Sequence, residues 1–114
     1  MDNLQSSTPE TIPLYQRPWV FAEDTTELDA TDDNGKTIKV VSLAGSRIGI
    51  VREGSGKDVE NASQIAGKDK RKYMSALMAA CIEIEGQPVV MEDLALTSMK
   101  DYMRLQVAFA DLNF

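Results

Sequence analysis

Few residues in this sequence are of the types that catalyse reactions or bind metals. The chain has no histidine and one cysteine, Cys81, so the commonest general base is missing and structural zinc is excluded. No basic neighbour in the sequence would activate the Cys81 thiol, which we therefore assign to the core. No two carboxylates are spaced for acid–base catalysis. We expect a protein that is not an enzyme, with no catalytic residues, no metal and no cofactor.

One glycine-rich segment hints at a phosphate-binding loop. Gly54-Ser55-Gly56-Lys57 contains the Gly-Lys pair of such loops, but a Walker A motif also needs an earlier glycine and a hydroxyl after the lysine. Val51 and Asp58 occupy those two positions, and the Asp58 carboxylate would repel phosphate. We interpret the segment as a link into a helix, with Asp58 favourable in its first turn.

Asp32-Asp33-Asn34-Gly35 resembles part of a calcium loop. Ala30 and Val41 stand where the first ligand and the bidentate glutamate belong. Because Asn-Gly favours positive φ at both central positions, the sequence predicts a type I′ turn instead.

Residues 1–35 have the composition of an extended arm. Three prolines among residues 1–18 oppose helix formation, and the rest of the arm is mostly polar or acidic. Trp19, Val20 and Phe21 form a short apolar group within it. We expect Trp19 and Phe21 to anchor a partly disordered arm, either to its own domain or to a partner.

Residues 36–114 predict one small α+β domain. The β-branched run 37–43 and the segment 47–52, joined by Ala44-Gly45-Ser46, indicate a β-hairpin. Apolar spacings of three and four then predict a helix at 58–66 ended by Gly67, followed by a long helix that Asp69 caps. Residues 82–85 fit either helix or strand, and 92–96 fits a helical turn.

The terminal helix begins with a capping-box-like pair, Ser98 and Asp101. The predicted fold is therefore an arm, one hairpin and three to four helices. Packing the two longest helices antiparallel would bury their stripes together, and five residues define this expected core: Tyr73, Leu77, Cys81, Leu105 and Phe109.

Charge divides the chain into three parts. Residues 1–35 carry eight acidic and one basic residue, residues 36–72 carry nine basic and four acidic residues, and residues 73–114 carry two basic and six acidic residues. Either these are simply solvated surfaces, or the acidic arm covers the basic middle, or the middle meets an acidic partner. The basic run at 68–72 lacks interleaved aromatics, so we expect no nucleic-acid binding.

Methionine is concentrated in the C-terminal part of the chain. Met74 and Met78, and likewise Met99 and Met103, are spaced by four and lie over each other on a helix. Methionines at this spacing either fill a small core or line an adaptable groove for a partner helix. We assign the provisional partner-binding surface to six residues: Trp19, Phe21, Met74, Met78, Met99 and Met103.

Residues 37–114 resemble the tail assembly chaperones of long-tailed phages, especially the Mu-like contractile group. The resemblance lies in the order of short motifs: Ile50-Val51-Arg52-Glu53-Gly54, Gly56-Lys57-Asp58 opening a helix, Ile84-Glu85-Gly86-Gln87-Pro88-Val89, Glu92-Asp93-Leu94, and Lys100-Asp101-Tyr102 in a terminal helix. The arm lies outside the resemblance.

The resemblance implies a non-enzymatic factor in the host cytoplasm that binds the helical tape-measure protein, or another tail protein. It would keep the tape-measure protein soluble until the tail tube polymerises around it. Two alternatives remain: a structural tail or baseplate component retained in the virion, and a small phage regulator of a host protein. We expect no membrane association, since no apolar run is long enough to span one. Self-association into a homo-oligomer is possible in each case.

Overall fold

A computed structural model describes residues 12–114. Residues 1–11 of the arm, which as a whole is predicted to be partly disordered, lie outside this range. The described residues form an antiparallel sheet whose order follows the chain. Its strands are β1 (Glu27–Thr31), β2 (Thr37–Leu43), β3 (Arg47–Arg52), β4 (Ile82–Ile84) and β5 (Gln87–Pro88). The helices are α1 (Gly56–Ala66), α2 (Lys70–Cys81), α3 (Met91–Leu96) and α4 (Met99–Asn113). The α+β class is confirmed.

Alternation along β2 gives the sheet two apolar faces. Ile38 and Val40 point to one side, whereas Val41 and Leu43 point to the other. We call the side of Val41 and Leu43 the helix face, because the main core forms there between the sheet and the helices. We call the opposite side the arm face. The hairpin predicted at 37–52 is confirmed as β2 and β3, joined by a 3₁₀ turn over Ala44–Ser46.

The helix boundaries follow local capping signals. Ser55 accepts a hydrogen bond from the Asp58 amide while the Asp58 carboxylate accepts one from the Ser55 amide, so the two form a reciprocal capping box at α1. Asp69 caps α2 through the Arg71 amide, as predicted. The helix predicted at 58–66 begins slightly earlier, at Gly56, and ends at Gly67 as expected.

Helix α4 packs mainly on β2 and β3, and α2 packs mainly on α1. The expectation that the two longest helices cover each other directly is therefore wrong. Gly49 explains the close approach of α4, since a Cβ at that position would lie 3.0 Å from Leu105 Cδ2. The predicted shared core is confirmed for four of its five residues, which are buried in one cluster, whereas Tyr73 is only partly buried and packs at its margin.

Three expectations about the strands need correction or completion. The arm was expected to end at residue 35, but β1 lies inside it and pairs with β2, so a domain boundary at 35/36 would cut through the sheet. Residues 82–84, left open between helix and strand, form β4. The 32–35 turn is present, but only Gly35 of the Asn-Gly pair takes positive φ, so the type I′ assignment is wrong. Both central residues of the β4–β5 loop, Glu85 and Gly86, do take positive φ.

The arm segment that begins at residue 12 lies across the arm face. Leu14, Trp19 and Phe21 pack against the cluster formed by Ile38, Val40 and Ile50. The Trp19 indole N–H donates to the Leu14 carbonyl at 2.6 Å. Arg17 forms an ion pair with Asp33 in which one guanidinium nitrogen, Nη2, donates to both carboxylate oxygens, at 2.9 and 3.0 Å. This segment therefore covers apolar residues of the arm face.

Candidate partner-binding surface

Helix α4 is fixed to the sheet by polar contacts near its N-terminus. The Ser98 hydroxyl accepts from the Asp101 amide, but the Asp101 carboxylate does not complete the predicted capping box. It instead accepts from the Ala44 amide at 3.1 Å and from the Arg47 guanidinium at 2.9 Å, while buried at 1% exposure. Arg104 also donates to the Ser42 carbonyl at 2.9 Å. These contacts fix the rotation of α4 about its axis.

That rotation leaves one side of α4 exposed and apolar. Met99, Met103 and Val107 follow each other at intervals of four and are 82%, 51% and 48% exposed. At about 100° per residue they lie roughly opposite Leu105 and Phe109, which are buried. We call Met99, Met103 and Val107 the α4 stripe. Over eight residues it extends about 12 Å along the helix, or slightly more than two turns.

The α4 stripe is suited to binding rather than to chemistry. Thioether and branched aliphatic side chains present no titratable group, and methionine adapts to irregular apolar partners. Exposed apolar residues at helical spacing match the way one helix receives the apolar stripe of another. Leu96, the last residue of α3, is 85% exposed and lies three positions before Met99 in the sequence.

The six residues predicted for partner binding fall in three different places. Met99 and Met103 are exposed together on α4, as expected for a contact surface. Met78 is completely buried in the main core, so the expectation that it lines an exposed groove is wrong. Met74 is partly buried and packs against the same core.

Trp19 and Phe21, the other two, pack on the arm face of their own sheet. The anchoring role predicted for them is therefore met within the chain. Val107 was missed, although its spacing of four from Met103 continues the methionine pattern and could have indicated it.

A cavity of about 180 Å³ lies between the arm, the sheet and the end of α2. Its polar lining includes Arg52 and Cys81, together with Asp32 and Glu83. The Arg52 guanidinium donates to both carboxylate oxygens of Asp58 and to the Ala80 carbonyl; this ion pair lowers the pKa of Asp58 and raises that of Arg52. Burial raises the pKa of the Cys81 thiol, which keeps it protonated and unreactive at neutral pH.

Residues 12–114 contain no group of three or more His, Cys, Asp or Glu side chains placed to hold a metal ion. Within that part of the chain no helix has both the length and the apolar character needed to cross a bilayer.

Comparison with known proteins adds no relative to this description. No protein-family model matches the chain, and neither a curated protein nor a solved structure matches it.

Proposed function

We propose that this protein is a non-enzymatic tail assembly chaperone that binds the helical tape-measure protein through the α4 stripe. The observation that carries the proposal is the exposure of Met99, Met103 and Val107 on a helix whose opposite side is fixed in the core. The motif order that resembles the Mu-like chaperones supplies the identity of the partner.

The physical role follows from the character of the α4 stripe. A long helical protein that has not yet been enclosed by the tail tube exposes apolar stripes, and such surfaces associate with each other. Covering a stripe with an adaptable apolar helix removes this surface from water while keeping the contact reversible. The proposed site of action is the host cytoplasm, where the tail is assembled.

The alternative of a virion component has less support from the fold. Its motive was an extended arm with a tryptophan free to anchor in a neighbouring protein. Trp19 instead donates its indole N–H to Leu14 and packs on the arm face. The regulator alternative rests only on the basic stretch.

Co-expression with the tape-measure protein, followed by pull-down, tests the proposal. We expect the two proteins to copurify and the tape-measure protein to move from the insoluble to the soluble fraction. Mass spectrometry of purified phage particles should then find this chain absent or strongly depleted. Failure to copurify, or stoichiometric retention in the particle, would contradict the chaperone role.

A further inference from the structure

A second apolar surface lies between α1, α2 and the start of α3, and it shares no residue with the α4 stripe. Helices α1 and α2 and the segment leading into α3 enclose an open groove of about 410 Å³. Its lining includes Ala76, Ala79 and Ala80 of α2, with Ile65 of α1 and Val90 at its sides. Ile65 and Val90 are 63% and 55% exposed. We call this surface the α1–α2 groove.

The lining residues determine what shape of partner fits. Three alanines on α2 keep side chains short, so a partner backbone can approach the helix closely. The larger Ile65 and Val90 side chains remain available to contact it from the sides. Such a surface accommodates the apolar stripe of an amphipathic helix, as in other complexes in which a helix binds in an apolar groove.

The charges next to the groove determine which charged residues the polar face of a bound helix should carry. Lys68, Lys70, Arg71 and Lys72 lie at the corner between α1 and α2, and all four are exposed. We call these four residues the basic corner. Lys72 lies one helical turn before Ala76 and so projects from the same side of α2 as the groove.

The basic corner does not stabilise its own helix. Lys70, Arg71 and Lys72 occupy the first turn of α2, where the helix dipole disfavours cations. The contact with Asp69 is long, at 3.8 Å from Arg71. An external anionic group at the basic corner would be attracted both by these cations and by the positive end of the α2 dipole.

Three acidic residues of the arm form ion pairs away from the basic corner. Asp33 pairs with Arg17, and Glu27 and Asp29 both pair with Lys39 of β2. The acidic arm thus pairs with one basic residue of the middle segment, Lys39, whereas its acids between residues 12 and 35 form no ion pair with the basic corner.

We propose that the α1–α2 groove and the basic corner together bind an amphipathic helix of another protein, whose apolar stripe contacts the alanines and whose acidic residues contact the corner. Glu92 also lines the groove, so the occupant's acidic residues belong at the corner and not along its whole length. This surface is independent of the α4 stripe, and either could fail without the other.

The test uses the full-length chain and two fluorescent model peptides of about 18 residues, long enough for helix formation on binding. Both carry leucines at spacings of three and four. One has glutamates in its terminal turn and the other has lysines there. We expect the glutamate peptide to bind, with at least roughly tenfold higher affinity than the lysine peptide, because two or more charge contacts change sign. Added salt should reduce this preference.

Two variants locate the binding site. Lys68→Glu with Lys72→Glu should lower the affinity for the glutamate peptide about tenfold. Lys36→Glu with Lys100→Glu changes the net charge by the same amount at other exposed sites and should not lower this affinity. Ile65→Glu should abolish binding, whereas Val20→Glu, at a position on the arm that is 84% exposed and outside both proposed binding surfaces, should leave it intact. Circular dichroism verifies that each variant is folded.

Several results would overturn the proposal. These are no binding of the glutamate peptide to the unaltered chain, equal binding of both peptides, or equal losses in the test and control variants. Competition by a DNA or RNA oligonucleotide that binds the basic corner more tightly than the peptide would also overturn it, since it would assign the corner to nucleic acid.

Discussion

The two faces of one sheet are covered in different ways. On the helix face, Val41, Leu43 and Val51 belong to a large buried cluster completed by the helices. On the arm face only Ile38, Val40 and Ile50 are buried among the described residues, and the arm side chains above them remain partly exposed. The same strands thus contribute to a thick core on one side and a thin one on the other.

This difference assigns separate roles to the two faces. Burial of large side chains on the helix face supplies most of the apolar free energy, which scales with the area removed from water. Between residues 12 and 35 the arm forms regular secondary structure only over Leu14–Gln16 and Glu27–Thr31, so the attachment of the segment before β1 depends on a few contacts. We therefore expect the helix face to determine whether the protein folds and the arm face to adjust its stability.

Phe109→Ala should have the largest effect. Phe109 is 2% exposed in the main core, and removing a buried phenylalanine costs about 3–5 kcal/mol. That is a large part of the free energy of unfolding of a small domain. Thermal denaturation followed by circular dichroism measures the loss, and an unchanged melting temperature would show that the helix face does not dominate.

Asp101→Ala should come next, at about 2–3 kcal/mol. The substitution leaves the Ala44 amide without its acceptor and removes the partner of Arg47. Asp111→Ala on the exposed side of the same helix is the matched control and should be nearly neutral. Equal losses in the two variants would rule out a specific role for the contact with the β2–β3 turn.

The sequence predicts the burial of Phe109 but not the contacts of Asp101. Phe109 follows Leu105 by four residues in an apolar stripe, a local signal that predicts burial directly. Asp101 was interpreted as a cap because Ser98 precedes it by three residues. Its actual partners, Ala44 and Arg47, lie more than 50 positions away in the sequence, and no local pattern indicates such a contact.

Strand β1 and Met78 show the same limit. Polar and apolar residues alternate in part over Glu27–Thr31, but the acidic residues of this run indicate a solvated arm. In the structure the run pairs with β2, and Glu27 and Asp29 form ion pairs with Lys39. Met78 is offset around the helix from Leu77, and the offset alone does not say which side of α2 other elements cover. Local signals therefore predicted the hairpin and the helix ends, whereas long-range contacts determine the pairing of β1, the position of the arm and which methionines are exposed.

Trp19→Ala tests the thin core. Because Trp19 is only partly buried, we expect a loss of about 1–2 kcal/mol, below that for a fully buried aromatic residue. Proteolysis within the arm should become faster, while the helices stay protected. Val20→Ala, at a position 84% exposed, is the control. A loss as large as that of Phe109→Ala would make the two faces equivalent.

Lys39 provides the smallest and most pH-specific prediction. Hydrogen bonds to Asp29 and Glu27 raise its pKa from 10.5 to about 12. Its contribution to stability is thus complete below pH 10.5 and is lost as pH rises through about 12. Lys39→Met should be less stable than the unaltered chain at pH 8, by about 1 kcal/mol or less for such a pair.

The stability difference between Lys39→Met and the unaltered chain should shrink towards pH 12. Denaturant unfolding at several pH values measures it. A difference that stays constant with pH would show that the methylene packing of Lys39, and not its charge, joins β1 to the sheet.

The central proposal is that the α4 stripe binds the tape-measure protein, and one double variant tests it most directly. Met99→Glu with Met103→Glu changes two exposed side chains, so the native circular dichroism spectrum should be retained. The variant should no longer copurify with the tape-measure protein or keep it soluble. Ile12→Glu with Val20→Glu, which adds the same charge on the arm, should retain both activities, whereas Met78→Glu should unfold the chain. A folded Met99→Glu, Met103→Glu protein that solubilises the tape-measure protein as well as the unaltered chain would contradict the account.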